Sequence, residues 1–149
     1  MDFDIDFDIH KTLIELEPEA WDPAGIDPAL FRLASKPVRK LGPAELHALL
    51  NANLCLTYVV PLTLELLRDD PFLEATEFPG DLLMAALEAD NRFWIEEYDL
   101  WVVMIEILEG AITHIHDRIQ REELPEYLPW HVSDEFIVAV QHFRNIHPD

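Results

Sequence analysis

From Trp94 to Ile119 the apolar residues fall at alternating steps of four and three: Trp94, Tyr98, Trp101, Ile105, Leu108, Ile112, Ile115 and Ile119. That spacing tracks the 3.6-residue helical turn and predicts a single helix over roughly 93–121 with all eight side chains on one stripe. Leu100, Val103, Ile107 and Ala111 carry the apolar surface to a second side, while Asp99, Glu106, Thr113, Asp117 and Gln120 mark the wet side. A helix apolar over so much of its circumference needs neighbours on two sides, so the rest of the chain must supply packing partners.

The preceding segments also read as helices, punctuated by prolines. Asp27 before Pro28 is a good N-cap and first helical residue for a short helix through Leu30, Phe31, Leu33 and Ala34, closed by Pro37. Gly42-Pro43 opens the next, with Leu46, Leu49 and Leu50 at helical spacing. Pro61 predicts a break or kink near Val60 and a new helix over 61–68, ended by Asp69-Asp70-Pro71. Pro79-Gly80 reads as a turn and Asp81 as the N-cap of a helix through Leu82, Leu83, Ala86 and Leu87. Pro125 and Pro129 end the long helix. Ser133 caps a last one, with Asp134 and Glu135 in its first turn and Phe136, Val140 and Phe143 as its buried stripe.

Residues 2–10, DFDIDFDIH, alternate with period two, the pattern of a strand with one buried face. TLIEL at 12–16 reads as a second strand or a helical turn. The first run therefore pairs with 12–16 as a hairpin, stays disordered or extends a helix, or pairs with another chain. The fold class is mainly α: a single compact helical domain of about six helices with a small N-terminal strand or hairpin. One domain over 1–149 divides into an acidic segment 1–27, a helical core 28–94, and the long and C-terminal helices over 95–149.

Half of the 149 residues are apolar by type, enough for a core without covalent staples, and the lone Cys55 permits no internal disulfide. Aspartates interrupt the apolar residues at the start, which is unlike a signal peptide, and no run approaches the ~18 apolar residues of a spanning helix, so the expected location is the cytoplasm. Thirty acids against ten Lys and Arg give a net charge of −20. Such a surface repels nucleic acid and anionic lipid and attracts cationic partners. The charge is uneven: residues 1–27 hold nine acids and one base, residues 88–109 seven acids and one base, and the stretch 28–68 between them is mildly basic.

Little of the sequence suggests chemistry. Cys55 lies among Leu54, Leu56 and Tyr58 and reads as core. His114 and His116 are two apart and face different ways on a helix, so they form no metal pair, and His114 reads as a core histidine. Acid pairs such as Asp69-Asp70, Glu96-Glu97 and Glu122-Glu123 are expected by chance at this composition, and four glycines leave no phosphate-binding loop. No catalytic, metal or cofactor-binding residue is assigned, and the chain reads as a binding protein rather than an enzyme.

One ordered series carries a resemblance. Leu16, Glu17 and Trp21 are followed by Lys36-Pro37, Leu41, Leu46 and Leu50, then Tyr58, Pro61-Leu62, Leu64-Glu65, Asp70-Pro71, Pro79-Gly80-Asp81-Leu82-Leu83 and Trp94. In this the chain resembles the immunity proteins of bacterial contact-dependent growth inhibition systems. The family's helix over 46–56 usually carries an arginine, a glutamine and a glycine, where this chain has His47, Ala52 and Cys55. The resemblance implies a protein that binds and blocks one cognate toxin domain, often a nuclease, delivered by neighbouring cells. The acidic parts are then the candidate toxin-binding residues: Asp2, Asp4, Asp6, Asp8, Glu15, Glu17, Glu96, Glu97 and Asp99. The alternative is an acidic helical adaptor or scaffold with no toxin partner.

Overall fold

The computed structural model describes residues 5–22, 24–121 and 134–147. Asp2, Asp4, Pro23, the Glu122-Glu123 pair, Pro125, Pro129 and the Ser133 cap lie outside the described residues, as do the side chains of Ile115, His116, Ile119, Gln120, Asp134 and Glu135. The described residues hold eight α-helices: α1 Leu13–Leu16, α2 Pro28–Ala34, α3 Pro43–Asn51, α4 Leu56–Asp69, α5 Asp81–Leu87, α6 Asn91–Glu96, α7 Tyr98–Gln120 and α8 Asp134–Arg144. Single 3₁₀ turns at Pro18–Ala20 and Val38–Lys40 join the first three.

Capping chemistry sets the short helices. Thr12 and Glu15 form a capping box around α1: Thr12 Oγ1 accepts from the Glu15 N–H and Glu15 Oε1 accepts from the Thr12 N–H. TLIEL is therefore a helical turn, and the N-terminal hairpin is not formed. Residues 5–12 instead run irregularly, and the segment is tied down where Arg39 N–H donates to Ile9 O and Val38 N–H to Lys11 O. With Thr12 and Glu15 committed to a helix start, the run does not pair with 12–16; its end instead meets the chain after α2 in a single antiparallel bridge, Thr12 to Pro37. Asp27 caps α2 as read, its Oδ1 accepting from Ala29 N–H at 2.8 Å. At α3 the Glu45 carboxylate accepts from Gly42 N–H and from Lys36 Nζ; burial opposes its charge, but these two partners outweigh it and hold its pKa below the usual range.

The core centres on α4, which packs against α3, α5 and α7; α7 in turn takes α6, and α8 packs on α5. Leu56, Val59, Val60, Pro61, Thr63, Leu64 and Leu67 are all buried, so α4 is covered on several sides. That burial explains why the helix passes through Pro61 instead of starting there. The proline ring removes one backbone hydrogen bond, at a cost near 3 kcal/mol. Ending the helix at Val60 would detach buried residues on both sides of it, each large side chain contributing about 1.5–3 kcal/mol. In α5 six of seven residues are buried, so this short helix lies inside the molecule.

The long helix differs from its prediction in two ways. It breaks at Glu97, which closes α6 (Glu97 N–H to Phe93 O, 2.9 Å) and opens α7 (Trp101 N–H to Glu97 O, 3.0 Å). Its buried face also runs between the two expected stripes, through Trp101, Val103, Met104, Ile107, Leu108 and Ala111, whereas Tyr98 is exposed. Asp99, Glu106, Thr113 and Asp117 are on the wet side, as the pattern predicts. His114 is exposed, not core, with its ring 6.4 Å from that of Phe72. Among the described residues no helix is long and apolar enough to cross a membrane.

Asp81 is the first residue of α5 rather than its N-cap, a place taken by Gly80 at φ 94°, where a side chain would be strained. The Asp81 carboxylate, 3% exposed, reaches back to organise the preceding loop. It accepts from the N–H groups of Ala75 (2.6 Å), Thr76 (2.9 Å) and Glu77 (2.8 Å) and from Thr76 Oγ1 (3.0 Å). Burial alone would raise its pKa; these four donors reverse that and lower it from 3.8 to about 2. Because the folded value lies below the unfolded one, the clamp stabilises fully above about pH 4 and is lost as pH falls toward 2, a contribution of roughly 2.5 kcal/mol. Asp81→Asn should therefore cost about 2–4 kcal/mol in urea unfolding at pH 7. The gap to wild type should narrow between pH 4 and pH 2; a gap independent of pH would contradict the clamp.

Candidate functional site

The expected site residues fall in two places. The first is where α1 meets the start of α4. Tyr58 Oη donates to Leu16 O (3.3 Å), and the Cys55 thiol faces Glu17 Oε2 at 3.8 Å. Trp21 is buried with its ring 6.5 Å from that of Phe31, and Phe7 packs edge-on against Tyr58 at 5.1 Å. Leu16, Glu17, Trp21, Cys55 and Tyr58, some 40 positions apart in the chain, thus form one node. Burial raises the Glu17 pKa, the Glu19 charge adds to this, and the Cys55 thiol works weakly the other way. Glu17 is therefore a partly desolvated, half-buried carboxylate beside the Cys55 thiol. Glu15 is exposed, but its carboxylate is engaged in the α1 cap. Asp6 and Asp8 are exposed beside this node, Asp8 Oδ1 accepting from His10 N–H at 2.9 Å.

Cys55 has a conformation that its sequence context did not reveal. It caps α4 with φ 53°, and Asn53 two residues before has φ 54°. Two left-handed residues turn the chain sharply between α3 and α4, and glycine enters that region without the steric cost other residues bear. Burial raises the thiol pKa to about 12, the Glu17 carboxylate adds to the shift, and the Trp21 indole N–H, which makes no full hydrogen bond, only slightly favours the thiolate. No nucleophile is available here at physiological pH.

The second place is the α6–α7 corner, where Glu96, Glu97 and Asp99 are all exposed. The corner stands on an aromatic stack. Trp94 is fully buried with Phe143 at 4.9 Å, and Trp101 stacks on Phe143 while its Nε1 donates to the Phe143 carbonyl (2.9 Å). His147 Nε2 donates to the Trp94 carbonyl at 2.9 Å and lies edge-on to Trp101 and Tyr98. The structure thus keeps Glu96, Glu97 and Asp99 together and groups Asp6, Asp8, Glu15 and Glu17 elsewhere. Sequence reasoning missed the two apolar residues exposed among the corner acids, Ile95 and Tyr98. No glycine or proline marks the break that exposes them, and Asp90, which caps α6 through Arg92 N–H (3.0 Å), is the one local signal.

The Cys55 geometry has a measurable consequence. At φ 53° a Cβ is strained and glycine is not, so Cys55→Gly should exceed Cys55→Ala by about 1 kcal/mol in chemical unfolding, although alanine restricts the unfolded chain more. A thiol-labelling reagent at pH 7.5 should leave the folded wild type unmodified and react fully in urea. Equal labelling rates in both states would remove the buried, high-pKa assignment.

Comparison with known proteins places this arrangement. The family model described as CDI immunity proteins matches residues 13–102, from α1 into the first turns of α7. No curated protein and no solved structure matches the chain. The matched span is more than half of the chain, and it contains the α1–α4 node, the Asp81 clamp and the α6–α7 corner. The chain belongs to the immunity proteins of contact-dependent growth inhibition (CDI) systems.

Proposed function

We propose that this protein binds a cognate toxin C-terminal domain in the cytoplasm of the cell that makes both, and neutralises it by covering a cationic functional surface. Membership of the CDI immunity family over residues 13–102 carries the reading. The net charge of −20 supports a nuclease as the toxin, because an enzyme that acts on phosphates must present positive potential to them. An acidic inhibitor is then steered to that surface and competes with the substrate for it. On this reading the inhibitor makes and breaks no bonds; in support, its single thiol is buried with a raised pKa, and the Asp81 carboxylate is occupied by backbone donors.

The test is co-expression with the toxin domain encoded beside it. Growth rescue together with co-purification is expected, and absence of both would reject the proposal. The acids of the N-terminal run should act through encounter rate. Replacing Asp2, Asp4, Asp6 and Asp8 with asparagine should slow association severalfold at low ionic strength and little at high, leaving dissociation nearly unchanged. An unchanged association rate at low salt would exclude steering by this run.

A further inference from the structure

The charge of this protein is spread widely, whereas the large apolar side chains exposed among the described residues are Ile9, Ile95, Tyr98, Ile137 and Val138. Ile95 and Tyr98 are 56% and 51% exposed, three positions apart on either side of the Glu97 break. We propose that this pair is the docking anchor for the toxin, with Glu96, Glu97 and Asp99 as its rim; the inference rests on the immunity reading above.

Three observations support it. First, Tyr98 is preorganised. Its ring stacks on Trp101 at 5.8 Å and 25°, and the His147 ring closes on it edge-first at 5.0 Å. A tyrosine held in this way loses little freedom on binding and offers both an apolar face and a hydroxyl. Second, the foundation is rigid. Trp94 and Phe143 beneath are fully buried, and Trp101 Nε1 and His147 Nε2 tie the corner to backbone carbonyls. Third, the rim selects the occupant. A second copy of this chain would set the same three carboxylates against their equals, and nucleic acid or anionic lipid would be repelled likewise. Exposed apolar side chains interspersed along the corner with exposed carboxylates fit a protein face that offers an apolar recess bordered by lysine and arginine. Asp6 and Asp8 lie beside the α1–α4 node, where Ile9 is less exposed (38%) than the corner pair, so we assign them to approach and the corner to retention.

Binding of the adjacent toxin domain to the full-length wild type, Ile95→Ala, Tyr98→Ser and Val138→Ala tests this. Val138 is 61% exposed on α8 and lines the open groove of about 900 Å³ between α8 and the end of α5, so it controls for loss of any surface apolar group. Circular dichroism and thermal melting check folding; Ile95→Ala keeps the test valid if Tyr98→Ser disturbs the stack. Each corner variant should bind about tenfold or more weakly through faster dissociation, with Val138→Ala like wild type. Wild-type affinity in a folded Ile95→Ala, or a loss confined to Val138→Ala, overturns the inference while leaving the immunity reading intact. A wild-type chain that captures no toxin overturns both.

Discussion

Leu56, Val59, Val60, Leu64 and Leu67 give α4 an apolar surface too wide for one neighbour, and the placement of α3, α5 and α7 follows from covering it. This requirement is strong enough to carry the helix through Pro61. It draws α5 into the interior, where almost no side chain of that helix meets water. The loop that must deliver such a buried helix needs internal hydrogen bonds of its own, and Asp81 supplies them from the helix's first residue.

The electrostatics follow from the same division between inside and outside. Among the described residues Asp81 is the one buried carboxylate, and it is surrounded by donors. The other described acids are left at or near the surface, where they repel one another. That repulsion is tolerated by a core of large apolar side chains and is relieved whenever cationic groups approach. On the proposed function, attraction to a cationic partner and a cost in free-state stability are two aspects of one distribution of charge.

Local chemistry was legible wherever a residue acts on its immediate neighbours. Asp27-Pro28 and Gly42-Pro43 start helices where they stand, and the apolar spacing in α3, α5 and α8 identifies the buried leucines and phenylalanines. What was not legible depends on contacts distant in sequence. The alternating aspartate run looks like a strand, but strand formation needs an adjacent edge, and Thr12 and Glu15 have already closed α1. Pro61 reads as a break until the burial on both of its sides is known. The stripe from Trp94 to Ile119 passes through Glu97 without any change in period, so the break there cannot be seen in the spacing. For the proposed site, the acids at 96, 97 and 99 could be nominated from charge alone. Ile95 and Tyr98 were not, because an apolar residue within a helical pattern is assigned to the core by default. The node formed by Glu17, Cys55 and Tyr58 joins positions whose proximity is a property of the fold.

The aromatic stack under the α6–α7 corner has an optical consequence. Two of the four tryptophans, Trp94 and Trp101, sit within one or two side chains of Ile95 and Tyr98, and Trp101 has an imidazole against its ring. Indole emission is sensitive to the polarity and the quenchers around it, and Trp101 reports on the ring layer directly beneath Tyr98. The protein thus carries a native fluorophore at the corner, and a partner that settles there changes its light without any label being attached.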